Sequence, residues 1–166
     1  MAETVIGIDP SSTHIAFTIL YPDETWEVVV EKKMGKSGPE ACHKARLLTL
    51  ATIDTARNKC KKSSIHCFYE MPILGRGGFR STIVQCFTSG AVQGAIYERE
   101  CSAYPVNVSS WKKAVVGKGN ADKGQVAEHL RLRWNAIYTA AEGNQDIYDA
   151  TAIALYGRQI LAKRLA

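Results

Sequence analysis

The chain has 166 residues, of which 46% are hydrophobic and 22% are charged, a composition typical of a folded domain and unlike that of a disordered or membrane-embedded chain. The length favours one domain over residues 1–166, with no linker and no internal repeat. Lys and Arg number 21 against 16 Asp and Glu, and the net charge of +5 indicates a modest bias toward polyanionic partners such as nucleic acid.

Membrane, secretory and disulfide-bonded classes are disfavoured by the sequence. No stretch reaches the ~20 apolar residues that a membrane span needs, and residues 1–5 lack the basic and then apolar pattern of a signal peptide. We therefore expect a cytoplasmic protein, in a bacterium or a phage-infected host cell, with no membrane partner. The five cysteines never have C-x-x-C spacing, and we expect them to be reduced and buried rather than bound to zinc.

The first third of the chain has the pattern of three short strands followed by a helix. The strands are predicted at residues 4–8, 15–20 and 25–31, where apolar and β-branched residues are separated by turn sequences rich in Pro, Ser and Asp. Residues 39–60 have no internal Pro or Gly and carry apolar residues at helical spacing. An antiparallel meander and a first crossover helix follow from this order.

The middle of the chain predicts a second β-α-β unit. Residues 65–70 form a central strand that is apolar on both faces, residues 71–80 form a loop rich in Gly and Arg, residues 81–100 form a helix, and residues 104–108 form a further short strand.

The last third is predicted to be helical. Ser109 or Ser110 is expected to cap a short helix, residues 117–120 break it, residues 122–134 resume the helix, and a final helix covers about residues 144–165. The complete order predicts an α/β fold with a five-stranded mixed sheet, three antiparallel strands and then two parallel ones, with helices on both faces.

Four carboxylates are the candidate chemical groups. Asp9 and Glu70 each end a predicted strand, and the crevice beyond the carboxyl ends of strands is where open α/β sheets bind ligands. Asp146 and Asp149 lie three residues apart in the final helix and share a face. Carboxylates without His or Cys match the preference of Mg²⁺ for oxygen ligands. Taken singly, each acid has an ordinary explanation as a turn, cap or surface residue.

Four segments, in order along the chain, resemble the motifs of the RuvC family of Holliday-junction resolvases. The segments are Gly7-Ile8-Asp9-Pro10-Ser11-Ser12, Tyr69-Glu70, Val115-Val116-Gly117-Lys118-Gly119-Asn120-Ala121-Asp122-Lys123-Gly124-Gln125-Val126, and Asp146-Ile147-Tyr148-Asp149-Ala150-Thr151-Ala152-Ile153-Ala154. The third is the most specific, because a G-x-G-N-A-D-K stretch followed by Gln-Val rarely occurs together with the other three by chance.

The resemblance implies an RNase H-like fold and a nuclease that cuts two opposed strands of a four-way DNA junction as a homodimer, in recombination and repair. It implies that the four carboxylates, Asp9, Glu70, Asp146 and Asp149, hold two Mg²⁺ ions, for which Mn²⁺ can substitute, and that no small-molecule substrate is used. It also implies that Lys112 and Lys123 contact DNA phosphates, with Lys118 of the third motif as a further DNA-binding candidate. Solvated helix surface is the alternative for these lysines, and for Lys112 alone it is the favoured one.

Two departures from the family pattern concern the turn after Asp9 and the contact with the junction. Ser11 replaces the family's usual Gly after Asp-Pro, and Ile73 stands where the family has an aromatic that probes the junction centre. Phe79, between Arg76 and Arg80, is a candidate replacement, since an aromatic can stack on an unpaired base while guanidiniums hold phosphates. The alternative is that Phe79 packs under its own loop.

Other functions and other candidate residues compete with this interpretation. A non-catalytic scaffold that binds branched DNA is one alternative, and a nucleotide-binding protein of the actin-like kind is another, although the G-x-x-x-x-G-K-[ST] spacing is absent. His14 is expected to face solvent near a strand start, and Trp111 and Trp134 are expected to be core residues rather than base-stacking ones. The sequence leaves the preference among four-way junctions, forks and flaps open.

Overall fold

The computed structural model describes residues 2–73 and 78–165. Five strands and six helices lie within these residues. In chain order they are β1 (Glu3–Pro10), β2 (Ile15–Leu20), β3 (Trp26–Glu31), α1 (Gly38–Lys59), β4 (Ser64–Glu70), α2 (Phe79–Glu98), β5 (Ser102–Val106), α3 (Val108–Val116), α4 (Lys123–Arg133), α5 (Asn135–Ala140) and α6 (Gln145–Leu165).

The strands form one mixed sheet with the order β3-β2-β1-β4-β5. The first three pair antiparallel as a meander, while β4 runs parallel to both β1 and β5. Parallel neighbours require a crossover, and α1 and α2 supply the two that this order needs. The predicted five-stranded mixed sheet is confirmed.

Helices cover both faces of the sheet, as predicted. Side chains alternate along β1, so Ile6 and Ile8 pack in the core beneath α1 and α2, whereas Val5 packs in the core beneath α6. Phe68 of β4 belongs to the α6 side, together with residues of α3 and α4. The central strands are therefore buried on two faces, which accounts for their nearly continuous apolar sequence.

Gly7 allows α6 to lie directly against β1. A Cβ added at Gly7 would meet the Ala150 carbonyl oxygen at 2.1 Å and the Ala154 nitrogen at 2.4 Å. A buried hydrogen bond of 2.9 Å between the hydroxyls of Thr18 and Thr151 joins β2 to the same helix. The first turns of α6 are thereby held close to the carboxyl end of β1.

Some helix boundaries differ from the prediction. The N-cap of α3 is Asn107 rather than Ser109 or Ser110, because the fifth strand ends at Val106 and the helix begins almost at once. By contrast, Asp122 caps α4 in a reciprocal capping box with Gln125, at the predicted helix start. Helix α5 was not predicted, since six residues give too short an apolar pattern.

The cysteines are free, as expected, but they are not all buried. Cys67 and Cys101 are buried and Cys86 on α2 is exposed, so the expectation of uniform burial was wrong. Within the described residues, no helix combines the length and the apolar character needed to cross a membrane.

Candidate active site

The two strand-borne acids lie side by side at one edge of the sheet. Ile8 of β1 pairs with Tyr69 of β4 in parallel register, so the next residue of each strand, Asp9 and Glu70, occupies neighbouring positions at the carboxyl ends. The predicted placement of both acids at strand ends is confirmed by the strand bounds. Both side chains are only partly accessible to solvent.

The first turns of α6 bring the other two acids to the same place. Asp146 and Asp149 lie three residues apart, and both are partly buried. Asn144 accepts hydrogen bonds from the backbone N–H groups of Asp146 and Ile147 through its side-chain oxygen, at 3.0 and 3.3 Å, and so fixes the helix start. Gln145 donates to the Asp149 carboxylate at 3.0 Å.

Mutual repulsion and burial act on this cluster. Burial raises the pKa of Asp9 well above its ordinary value, and the negative charges of Glu70, Asp149 and Asp146 raise it further. Burial also raises the pKa of Glu70 to about 7 and that of Asp149 in the same direction. The four carboxylates therefore lie close enough to interact electrostatically, and their combined negative charge favours binding of a cation.

Trp111 contacts this cluster, a role that the sequence prediction missed. The tryptophan is fully buried on α3, as expected of a core residue, but its indole Nε1 also donates a 2.8 Å hydrogen bond to Glu70 Oε2. This bond lowers the pKa of Glu70 and so opposes the effect of burial. A Trp at helical spacing signals a core position, and nothing in the local pattern identifies its hydrogen-bond partner. Trp134 also packs against the core, as predicted.

Two of the three predicted lysines face the carboxylates. The charge of Lys112 lowers the pKa of both Glu70 and Asp149, and that of Lys123 lowers the pKa of Asp9 and Asp149. Lys112 is partly buried and its Nζ donates to the Ala121 carbonyl at 2.7 Å. The favoured interpretation of Lys112 as solvated helix surface was therefore wrong.

A cleft of about 620 Å³ lies beside the carboxylates. Lys112 and Lys123 line it together with Ile73, Ser109 and Asn120. The cleft is formed by the loop after β4, the start of α3, and the third motif. Its two lysines outnumber its one acid, Asp122, so it is a candidate site for a phosphate-bearing ligand.

Lys118 is separate from this cleft. It is exposed and lines another groove, against Gln125, Glu128 and Leu132 of α4. The structure therefore does not bring Lys118 to the carboxylates.

The turn after Asp9 is held by Ser11. Its hydroxyl oxygen accepts hydrogen bonds from the backbone N–H groups of Thr13 and His14, at 3.2 and 2.9 Å. These bonds stabilise the turn without the Gly that the family usually has at this position. The turn places His14 Nδ1 4.0 Å from Asp146 Oδ2. His14 is half-exposed, so the expectation that it faces solvent describes only part of its surroundings.

The loop candidates for DNA contact are exposed or undescribed. Phe79 begins α2 and is 84% exposed, which contradicts the alternative that it packs under its own loop. Arg80 beside it is also exposed. Arg76 lies outside the described residues.

The donor set fits a hard divalent cation. Within residues 2–73 and 78–165, no three His, Cys, Asp or Glu side chains are drawn together into a complete metal-binding cluster. The charges of Glu70, Asp146 and Asp149 nevertheless raise the pKa of Asp9, and the four acids supply only carboxylate oxygens, the ligands that Mg²⁺ prefers. Cation binding would relieve the repulsion among these carboxylates, which burial strengthens.

The sheet is mixed and has the order β3-β2-β1-β4-β5. Acids lie at the ends of β1 and β4 and at the start of the helix packed across them. This arrangement defines an RNase H-like fold with a carboxylate site. A family model described as "Crossover junction endodeoxyribonuclease RuvC" matches residues 5–156. The chain belongs to the RuvC family.

Individual relatives are similar over nearly the whole chain. A crossover junction endodeoxyribonuclease RuvC of Chlamydia muridarum is 26% identical over 158 residues, covering 93% of this chain and 91% of the relative. The structure of Thermus thermophilus RuvC is 22% identical with a TM-score of 0.68, covering 92% of each chain. The same protein in complex with a Holliday junction substrate gives a TM-score of 0.70, with 22% identity and coverage of 93% and 91%.

The yeast mitochondrial Holliday junction resolvase Ydc2 shares the fold at greater distance. It is 15% identical with a TM-score of 0.55, and the alignment covers 92% of this chain and 77% of that one. At these identities the structural likeness supports the fold, and the family assignment depends on the sequence match.

Proposed function

We propose that this protein is a divalent-metal-dependent endonuclease that resolves Holliday junctions and related branched DNA, acting in the cytoplasm of a bacterial or phage-infected cell. The observation that carries the proposal is the meeting of Asp9, Glu70, Asp146 and Asp149 beside a basic cleft. Family membership supplies the reaction type, and the cleft supplies room for a DNA phosphate.

The four carboxylates would hold the metal, with Mg²⁺ as the expected ion and two ions in each site. The chemistry that Mg²⁺ would supply there is activation of a water and stabilisation of the charge that develops on the leaving oxygen of a phosphodiester. The acids themselves orient the site: Asp9 and Glu70 are fixed by adjacent strands, and Asp146 and Asp149 by one helix turn. Mn²⁺ is expected to substitute for Mg²⁺, because it also prefers oxygen ligands.

Lys112 and Lys123 would hold the DNA backbone at the cleft, where their charges already act on the acids. Phe79 and Arg80 lie exposed at the start of α2 and are proposed, with Arg76, to contact the branch itself. Lys118 is proposed to contact DNA farther from the cut, since it lines a separate groove. Phosphate contacts of this kind position DNA without reading its sequence.

A homodimer would place two such sites on opposed strands. The surface of α2 supports this part of the proposal: Phe87 and Tyr97 are 63% and 59% exposed, and a Cβ added at Gly90 or Gly94 between them meets nothing within 4 Å. No charged residue occurs between Arg80 and Glu98. An uncharged, apolar helix face of this kind matches a self-complementary two-fold contact with a second copy of the chain.

The proposal is tested with Asp9→Asn, which removes one negative charge and keeps the side-chain shape. We expect cleavage to fall by at least about a thousandfold, because the site loses metal affinity while the basic DNA surface is unchanged. Junction binding should stay equal or become tighter. Asp23→Asn, the same change in the exposed turn between β2 and β3, is the matched control and should cleave at the wild-type rate.

The assay uses four-way junctions, forks, flaps, duplex and single-stranded DNA with Mg²⁺ or Ca²⁺, and maps each cut. Paired nicks across a four-way junction in Mg²⁺ would support a resolvase. Undiminished Mg²⁺-dependent cleavage by Asp9→Asn would overturn the assigned site. Tight junction binding with no cleavage by the wild-type protein in either metal would favour the non-catalytic scaffold instead.

A further inference from the structure

Trp111 stands out because one side chain belongs both to the core and to the site. Its ring is fully buried on α3, in the cluster that also contains Val106, Val115 and Ala121. Its polar edge points the other way, and Nε1 donates a 2.8 Å hydrogen bond to Glu70 Oε2. A buried indole N–H needs an acceptor, and here the acceptor is a carboxylate of the proposed metal site.

This bond restricts what Glu70 can do. Glu70 is the last residue of β4, so the sheet fixes its backbone but not its three side-chain torsions. Engagement of Oε2 by a donor that cannot move orients the carboxylate and leaves Oε1 free of that partner. Ordering a Glu side chain costs conformational entropy. Because Trp111 is fixed in the core, Glu70 is ordered when the chain folds, and ligand binding does not have to meet this cost again.

The donor itself is held rigidly. Lys112, the next residue, donates to the Ala121 carbonyl at 2.7 Å, which ties α3 to the third motif, and its ammonium lies 5.5 Å from the centre of the Trp111 ring. Val115 packs one helical turn later in the same core cluster. The position of the indole N–H is therefore set by the packing of α3 and not by a mobile surface contact.

We propose that Trp111 is a positioning residue that orients Glu70 for divalent metal binding, an inference that depends on the carboxylate site of the proposed function. The bond from the indole N–H holds the carboxylate at one oxygen and presents the other to the cation. Groups that hydrogen-bond to metal ligands in this way commonly contribute about 10–100-fold to metal affinity.

The test is Trp111→Phe, which removes the N–H and keeps an aromatic ring in the core. The experiment measures binding of Mn²⁺ alone to the full chain, without DNA. Binding is monitored by the decrease of the EPR signal of the free ion. We expect affinity to fall by about tenfold or more, in line with other groups that hydrogen-bond to metal ligands. The Mg²⁺ concentration for half-maximal cleavage should rise by a similar factor, while the rate at saturating Mg²⁺ recovers.

Val115→Ala is the matched control. It removes core packing from the same helix without touching Glu70, so it should lower thermal stability and leave Mn²⁺ affinity unchanged. In a Glu70→Gln background, Trp111→Phe should have no further effect on Mn²⁺ affinity, because the carboxylate that it orients is gone.

Two outcomes overturn the inference: wild-type Mn²⁺ affinity in Trp111→Phe, or an equal loss of affinity in Val115→Ala at matched stability. Failure of the proposed function looks different. In that case the wild-type protein binds Mn²⁺ no better than Asp9→Asn does, whatever residue occupies position 111.

Discussion

Asp9 and Glu70 illustrate a conflict at the scale of single residues. Each is placed by its strand in a position where burial disfavours the charged form. The charge of Glu70 acts on Asp9, and the charge of Asp149 acts on Glu70. Carboxylates in such a position bind protons more tightly in the folded chain than in the unfolded one. Folding and ionisation therefore oppose each other in the metal-free protein, and a bound cation would remove the opposition.

The metal-free protein is expected to lose stability as pH rises. The pKa of Glu70 is raised from 4.5 to about 7 on folding, so its favourable contribution is complete below pH 4.5 and disappears as pH passes about 7. At ~1.4 kcal/mol per pKa unit, this residue alone accounts for a loss on the order of 3 kcal/mol. Urea unfolding between about pH 5 and about pH 8, in the presence of a chelator, measures the free energy of unfolding directly.

Glu70→Gln separates this contribution from that of the titrating histidines. His66 and His129 have lowered pKa values through burial, and they act in the opposite direction, losing stability as pH falls. The variant keeps both histidines, so the difference between its pH profile and that of the wild type reports Glu70 together with the effect of its charge on the pKa of Asp9. Superimposable profiles for the two proteins would contradict the raised pKa.

At the scale of elements, the site depends on how closely α6 packs against β1. The helix carries Asp146 and Asp149, and it reaches the end of β1 only because Gly7 has no side chain. Gly157 allows a second close approach, to Phe68 of β4. Two glycines, one in a strand and one in a helix, thus set the distance between the helix-borne and strand-borne acids.

Gly7→Ala should disrupt both the fold and the site. The new Cβ would lie 2.1 Å from the Ala150 carbonyl oxygen, and backbone must move to relieve the contact. We expect a loss of about 3 kcal/mol or more in the free energy of unfolding, at the upper end for overpacking of a core. Cleavage should fall even at temperatures where the variant stays folded, because Asp146 and Asp149 shift away from Asp9.

Gly38→Ala is the control for this change. Its added Cβ would meet Val84 at an ordinary contact distance of 3.5 Å, so stability should change by no more than about 0.5 kcal/mol. Thermal and urea unfolding compare the two variants. A Gly7→Ala protein as stable and as active as Gly38→Ala would show that the close packing of α6 is not required.

Elements with strong local patterns could be predicted from the sequence, and contacts between distant segments could not. The bounds of β2 match the β-rich apolar run at residues 15–20, because turn residues lie on both sides of that run. The start of α3 was wrong, since Ser109 and Ser110 are good caps locally but tertiary packing places the cap at Asn107.

In the site, too, residues within local motifs could be predicted, and contacts between distant segments could not. Asp9 and Asp146 were found as residues of motifs, whereas the bond between Trp111 and Glu70 spans 41 positions and has no local signal. The surroundings of Lys112 were missed for the same reason, because its hydrogen bond to the Ala121 carbonyl and its effect on the pKa of Glu70 arise only in the folded chain.

At the scale of the whole molecule, charge is distributed unevenly. The net charge is +5 although four of the 16 acids are gathered in one site, so the remaining surface is more basic than the total suggests. The α2 face between Arg80 and Glu98 is an exception, being uncharged and partly apolar. Basic surface suits DNA, and the α2 face suits a second copy of the chain.

Phe87→Glu should therefore separate the proposed dimer. A two-fold contact places the substituted residues of both copies in one interface, where each added carboxylate is desolvated near a like charge. We expect the dimer dissociation constant to rise by at least about a hundredfold, the effect of roughly 3 kcal/mol. Analytical ultracentrifugation measures it. On a plasmid-borne cruciform, paired cuts that linearise the plasmid should give way to single nicks, since each subunit keeps its own four carboxylates.

Leu132→Glu provides the matched control, because Leu132 is 65% exposed on α4 and carries the same chemical change away from α2. It should remain dimeric in the ultracentrifuge, which is the measurement that it controls, because Leu132 also lines the groove of Lys118. A Phe87→Glu protein that sediments as a dimer at wild-type concentrations would remove α2 as the interface. Equal dissociation of both variants would point to a general effect of added charge rather than to the α2 face. Loss of nicking in Phe87→Glu would mean that the carboxylates of one subunit are insufficient for a single cut.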